Sequence, residues 1–322
     1  MKTYRLSYNF LFIALTLFSM VSAKKVATKN FPYPFEIDSL ALYEHVRYLS
    51  ELQPARSVRN PGSLLKAITY IESRFAESGV GSRRQSFRVE DSEYHNIVAV
   101  INPSQTPIIV LGAHYDVCNK TPGADDNASG VAGIIELAGV LHRYRDSIPY
   151  QVQLVAYANE EPPFFRSPWM GSYIHAKSLV DSGQKVEFMA SLEMIGYFTE
   201  EPRSQDYPSF LLKPFYPSTG NFIAVISNYS SGSIRKKARN AIRRYASISC
   251  RSISAPGFVP GIDMSDHLSY WKHGIKAIMI TDTSFFRNKN YHTLFDTIET
   301  LNFSKMKEVV KGIAAFVLTY GK

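Results

Sequence analysis

"PIIVLGAHYDVCNKTPGADDNASGVAGIIELAGVLHRYR", residues 107–145, decides how the rest of the chain is read. The apolar run Pro107 to Ala113 reads as a strand buried on both faces. From Ser129 to Arg145 apolar residues recur with helical spacing. Between them, His114, Asp116, Asp125 and Asp126 stand among glycine, proline and alanine. A strand, a polar turn and a helix are one unit of an α/β fold.

The unit recurs along the chain. Apolar strands are expected at residues 96–101, 151–158, 188–196, 222–227 and 276–281. Helical spacing is found at residues 38–52, 62–79, 233–248 and 304–321. Strands alternating with helices predict a three-layer α/β/α sandwich around a mostly parallel mixed sheet. No internal linker interrupts residues 39–322, so a single domain is expected there.

The polar residues fall in a pattern. His114 and Asp116 follow one strand, Glu160 and Glu161 follow a second, and Glu193 lies near the end of a third. Open α/β sheets place ligand sites at the carboxyl ends of their strands. Carboxylates gathered at one edge repel one another and lose hydration, and cations remove that cost. Imidazole mixed with carboxylate suits zinc or another first-row ion. His292, after the strand at 276–281, supplies a second imidazole. Two divalent ions nearly offset three ligating carboxylates, and two-metal sites serve hydrolytic chemistry.

"AHYD", "PGADDNASGVAG", "NEE", "SLEMIGY", "SDH", "TDT" and "YHTLFDT" occur in that order. Together they resemble the zinc aminopeptidases of the bacterial leucyl aminopeptidase type. That wider family also includes glutaminyl cyclases and some carboxypeptidases. The resemblance extends from about Tyr43 to Leu318. It implies a zinc peptidase catalytic domain over 39–322 and two zinc ions. His114 and Glu193 are the implied ligands of one ion, Glu161 and His292 of the other, and Asp125 the bridge. Asp126 is implied to be the neighbour of that bridge across a cis peptide. Glu160 is the implied general base, and Asp116 the carboxylate that orients His114. The implied substrate is a peptide with a free N-terminus. Glutaminyl cyclases of this family generally lack the second Asp of "ADDN", which favours hydrolysis. Two departures stand out: Glu193 replaces the usual Asp, and "EEPPFFRSPWMGS" replaces a shorter loop. Asp282 reads as structural, and Asp266 and His267 as structural or supporting residues.

The N-terminus reads as an export signal. Lys2 and Arg5 precede the apolar stretch "FLFIALTLFSMV", and "VSA" supplies a cleavage site after Ala23. That stretch is shorter than the ~20 residues a membrane-spanning helix needs. The expected mature protein loses residues 1–23, keeps a lead-in at 24–38, and is extracytoplasmic (periplasmic or secreted) with no membrane attachment. The formal charge is +8, and part of it lies on the basic helix at 233–248. That helix reads as a solvated face over an apolar stripe. No nucleic-acid motif accompanies it, so no nucleic-acid partner is expected. Cys118 and Cys250 are the only cysteines. Spacing alone fixes neither a disulfide nor an oligomeric state.

Overall fold

The structure is a computed structural model that describes residues 31–322, so the expected signal segment lies outside the described residues. Eight strands form one sheet. They are β1 (Ser82–Val89), β2 (Ser92–Ile101), β3 (Ile108–His114), β4 (Gln151–Tyr157), β5 (Val186–Glu193), β6 (Phe222–Ser227), β7 (Ser249–Ser254) and β8 (Ala277–Thr281). Their spatial order is β1-β2-β4-β3-β5-β8-β6-β7. The central strands β4, β3, β5 and β8 run parallel. Antiparallel pairing joins β1 to β2, β2 to β4, and β6 to β8. The sheet is therefore mixed around a parallel centre.

Helices cover both faces unequally. They are α1 (Ser39–Ser50), α2 (Pro61–Glu77), α3 (Gly130–Arg143), α4 (Gly171–Asp181), α5 (Gly232–Tyr245), α6 (His267–Lys272) and α7 (Phe303–Thr319). Leu42 of α1, Ile71 of α2, Leu137 of α3, Ile242 of α5 and Ile313 of α7 share a core with Ile109 and Leu111 of β3. The alternate β3 residues, Ile108 and Val110, face Leu179 of α4 and Tyr270 of α6. All seven residues of β3 are buried. This two-sided burial produces the unbroken apolar run in its sequence.

Local chemistry sets the helix starts. The Asp38 carboxylate accepts the Leu40 amide at 2.8 Å to cap α1. Asn302 does the same for the Lys305 amide at the start of α7. Ile234, Ala238, Ala241 and Ile242 are the buried stripe of the basic helix α5. Phe35 and Ile37 of the lead-in are also buried in the core.

Two strands, β1 and β7, are absent from the sequence reading. Both are sheet edges. β1 reads "SRRQSFRV" and exposes most of its residues. Charged edge strands resist further pairing, and they therefore lack the apolar signature of a buried strand.

Candidate metal centre

Pairing of β3 with β4 runs to their last residues, His114 and Tyr157, whereas pairing of β3 with β5 stops at Gly112 and Ser191. β3 leads through α3 to β4, its neighbour on one side, and β4 leads through α4 to β5, the neighbour of β3 on the other. This reversal opens a crevice above β3. His114 ends β3, Glu160 and Glu161 follow β4, and Glu193 ends β5. All four side chains are buried at this edge.

His114 is fixed through one ring nitrogen and directed by the other. Its Nδ1 lies 3.2 Å from the Asp116 carbonyl and 3.6 Å from that residue's carboxylate. Its Nε2 has no hydrogen-bond partner, yet lies 3.3 Å from Asp126, 3.4 Å from Glu193 and 3.9 Å from Glu160. Burial disfavours the charged ring, but Glu160 and Glu193 outweigh it and hold the pKa well above the usual histidine value. The Asp116 carboxylate has a further task. Its two oxygens accept the amides of Glu160 and Glu161 at 3.2 and 3.1 Å. One side chain thus ties the end of β3 to the turn after β4.

His292 completes a second group. Its Nε2 lies 3.2 Å from Asp126 and 3.2 Å from Glu161, and its ring stacks on Tyr291. Burial works against its charge, but Asp126 and Glu161 raise its pKa to about 10. Burial, then Asp126, pushes Glu161 up to about 7. Burial pushes Glu160 well above the carboxylate range, with Glu193 and Glu161 adding to the effect. Glu193 is raised mainly by burial and accepts the Ser265 hydroxyl at 2.8 Å. Burial, with Glu161 and Asp126 nearby, pushes the Cys118 thiol up to about 11. Cys118 and Cys250 are both free thiols.

Asp126, rather than the expected bridge Asp125, lies between the two imidazoles. One Asp126 oxygen faces His114 and the other faces His292. Burial opposes its charge, yet the two imidazoles hold Asp126 well below the usual carboxylate range. Asp125 turns away. Its oxygens accept the Gly196 amide at 3.0 Å and the Asn288 amide at 2.9 Å. Burial, then Asp282, drives Asp125 well above the carboxylate range, and a protonated carboxyl is a poor cation ligand. The cause is backbone geometry within the turn Ala124–Ser129. Asp126 has φ −103° and ψ 91°, which breaks the helical path and aims its side chain into the crevice. The cis bond joins Asp126 to Asn127, one residue beyond the expected place.

Several further residues support the cluster, and of these Arg56 lies outside every motif in the sequence. Arg56 is buried beneath the turn and donates to the carbonyls of Tyr115, Leu49, Pro122 and Gly123. Burial lowers its pKa to about 10, and the acids above it oppose the shift. The Asp296 carboxylate accepts the amides of Asp125 and Asp126 at 2.9 and 3.1 Å. Asn127 ties Leu192 to Gly130 and Met194. Gly123 has φ +61°, and a Cβ there would meet the Asp126 carbonyl at 2.3 Å. Asp282 accepts the amides of Tyr197 and Ser284, a structural task. Asp266 is buried, and neither carboxylate oxygen has a hydrogen-bond partner. His267 Nε2 bonds to the Ile262 carbonyl, outside the cluster.

Residues 96–317 match the model for peptidase family M28. The chain belongs to peptidase family M28. It is 46% identical over 281 residues to the uncharacterized protein YfbL of Escherichia coli (strain K12), covering 84% of this chain and 85% of YfbL. It is 29% identical to the probable leucine aminopeptidase 1 of Trichophyton verrucosum (strain HKI 0517), over 76% of this chain and 62% of that relative. Among solved structures, the LapA aminopeptidase of Legionella pneumophila has a TM-score of 0.71 at 22% identity, covering 87% of this chain and 71% of LapA. A glutaminyl cyclase of Bacteroides thetaiotaomicron has a TM-score of 0.67 at 17% identity, covering 88% and 98%. As an M28 peptidase the chain is a zinc-dependent hydrolase.

The M28 side chains fit zinc on their own geometry. His114 Nε2, His292 Nε2 and one Glu161 oxygen are buried without hydrogen-bond partners. The donor atoms of His114, Asp126 and Glu193 lie within 4.8 Å of one another, as do those of His114, Glu160 and Glu161. Imidazole with carboxylate is a zinc donor set. Beside this cluster opens a cavity of about 260 Å³. Its walls include Leu212, Phe222, Ile253, Val259 and Phe286, with Arg251 among them.

Proposed function

We propose that this M28 peptidase is an extracytoplasmic aminopeptidase that works with two zinc ions bridged by Asp126. The observation that carries the reading is the division of Asp126, one oxygen toward His114 and the other toward His292. His114 and Glu193 would hold one ion, and Glu161 and His292 the other. Bound zinc would supply Lewis acidity toward the peptide carbonyl and a lowered pKa for water. Glu160, raised by burial and 3.9 Å from His114 Nε2, takes up a proton and returns it to the leaving amine. Asp116 holds Glu160 in place through the backbone. The adjoining apolar cavity accommodates a bulky N-terminal side chain, and the free amine meets the acidic cluster. The export segment at residues 1–23 supports removal before the mature chain acts.

Zinc stoichiometry tests the bridge. The mature protein is expected to bind two ions per chain and to cleave aminoacyl-arylamides. Asp126→Asn is expected to lose high-affinity binding of both. Asp125→Asn is expected to keep the stoichiometry at some cost in stability. A ceiling of one ion, with cyclisation of N-terminal Gln substrates, would overturn the reading.

A further inference from the structure

We propose that Cys118 is a protein ligand of the cation held by Glu161 and His292. The inference rests on the two-cation reading above and assigns a donor that the motif comparison leaves out. The Cys118 sulfur, a Glu161 oxygen and a His292 ring nitrogen lie within 4.8 Å of one another. That spread allows one cation to touch all three after small side-chain adjustments. One Glu161 oxygen and the His292 Nε2 are without hydrogen-bond partners, and Glu161 is only 2% exposed.

The loop prepares the sulfur for this place. Cys118 follows β3 by four residues and is 7% exposed. Its carbonyl accepts both the amide and the hydroxyl of Thr121, which closes the turn beneath it. Asn119 Nδ2 donates to the sulfur at 3.4 Å. Donation to sulfur suits a thiolate, the form in which cysteine binds metals.

The assignment makes the two cation positions unequal. With Asp126, Glu161, His292 and Cys118, one position has four protein donors. The other has His114, Asp126 and Glu193. Four protein donors close a zinc site, whereas three leave an open position. The open position then falls on the His114 side, beside Glu160, where the proton is handled. The thiolate also favours zinc or cobalt over magnesium or manganese at the closed position.

Metal spectroscopy on the full mature chain tests the ligand. Zinc-edge X-ray absorption of the unsubstituted protein is expected to show a sulfur neighbour at ~2.3 Å. The cobalt-loaded protein is expected to show a thiolate-to-metal charge-transfer band in the near ultraviolet. That band is expected to vanish in Cys118→Ser and to persist in Cys250→Ser. Competition with a chelator is expected to show tenfold or greater weakening of one ion in Cys118→Ser, with the other unchanged. A zinc shell of nitrogen and oxygen only, or a band that survives in Cys118→Ser, overturns the proposal. Two ions in an all-nitrogen-and-oxygen shell would sink Cys118 alone and leave the aminopeptidase reading standing. One ion with a sulfur neighbour would do the reverse.

Discussion

Asp125 and Asp126 are chemically identical neighbours, and the fold gives them different tasks. The motif identifies the pair, but the choice between them depends on one backbone break at Asp126. Sequence spacing carries no information about that break, so it does not tell which of the two acids faces the imidazoles. Cys118 is hidden for a similar reason: it is two residues from Asp116, but only the loop path brings it to His292. Glu160 and Glu161 are more legible, because adjacent residues after a strand point in different directions. Glu161 faces His292, and Glu160 lies 3.9 Å from His114 Nε2. Glu160→Gln is therefore expected to lower kcat by ~10²–10⁴-fold, the worth of a general base. Its zinc content and KM are expected to stay near wild type, since Gln keeps the volume and one accepting oxygen. Retention of more than about a tenth of kcat in a folded, zinc-loaded variant would remove Glu160 from the proton-transfer role.

At the scale of elements, the six buried strands read from the sequence are β2, β3, β4, β5, β6 and β8. Burial on both faces leaves an apolar run, so their signal is strong. The edges β1 and β7 lack it, and short α6 is below the length at which periodicity is readable. The turn Ala124–Ser129 is the element on which the centre depends. It is held from outside, by Asp296 beneath its amides and by Asn127 against β5. No local spacing announces a partner about 170 residues away. Asp296→Asn replaces one accepting oxygen with a donor that faces a backbone N–H. The turn is expected to loosen, and zinc affinity to fall ~10–100-fold, as for other supports of metal ligands. A chelator competition series measures this. An unchanged affinity with an unchanged fold would mean that the turn holds its shape without Asp296.

The whole molecule has two differently filled faces, and the smaller one bears a pH dependence that the metal centre does not share. His175 is buried on the inner side of α4, and its Nδ1 lies 2.6 Å from the hydroxyl of Tyr270 on α6. That hydroxyl lies 2.7 Å from the hydroxyl of Tyr157, whose ring fits over β3 because Gly112 has no Cβ. Burial lowers the His175 pKa to about 3. An unfolded histidine titrates near ~6.5, so between these values the unfolded chain binds the extra proton. Stability from this group is therefore fully present above pH ~6.5 and is lost progressively as pH falls toward the folded value. The slope approaches ~1.4 kcal/mol per pH unit within the window. His175→Gln removes the titration but keeps a polar side chain of similar reach. The variant is expected to be less stable than wild type by ~1–2 kcal/mol at pH 8, through a disturbed hydrogen bond. Urea unfolding at pH 8, 6 and 5 is expected to show that gap closing as the wild type loses stability. Zinc release in acid affects both proteins alike, so the difference between them isolates the histidine. A gap that stays constant from pH 8 to 5 would mean that His175 takes up its proton equally in the folded and unfolded chains.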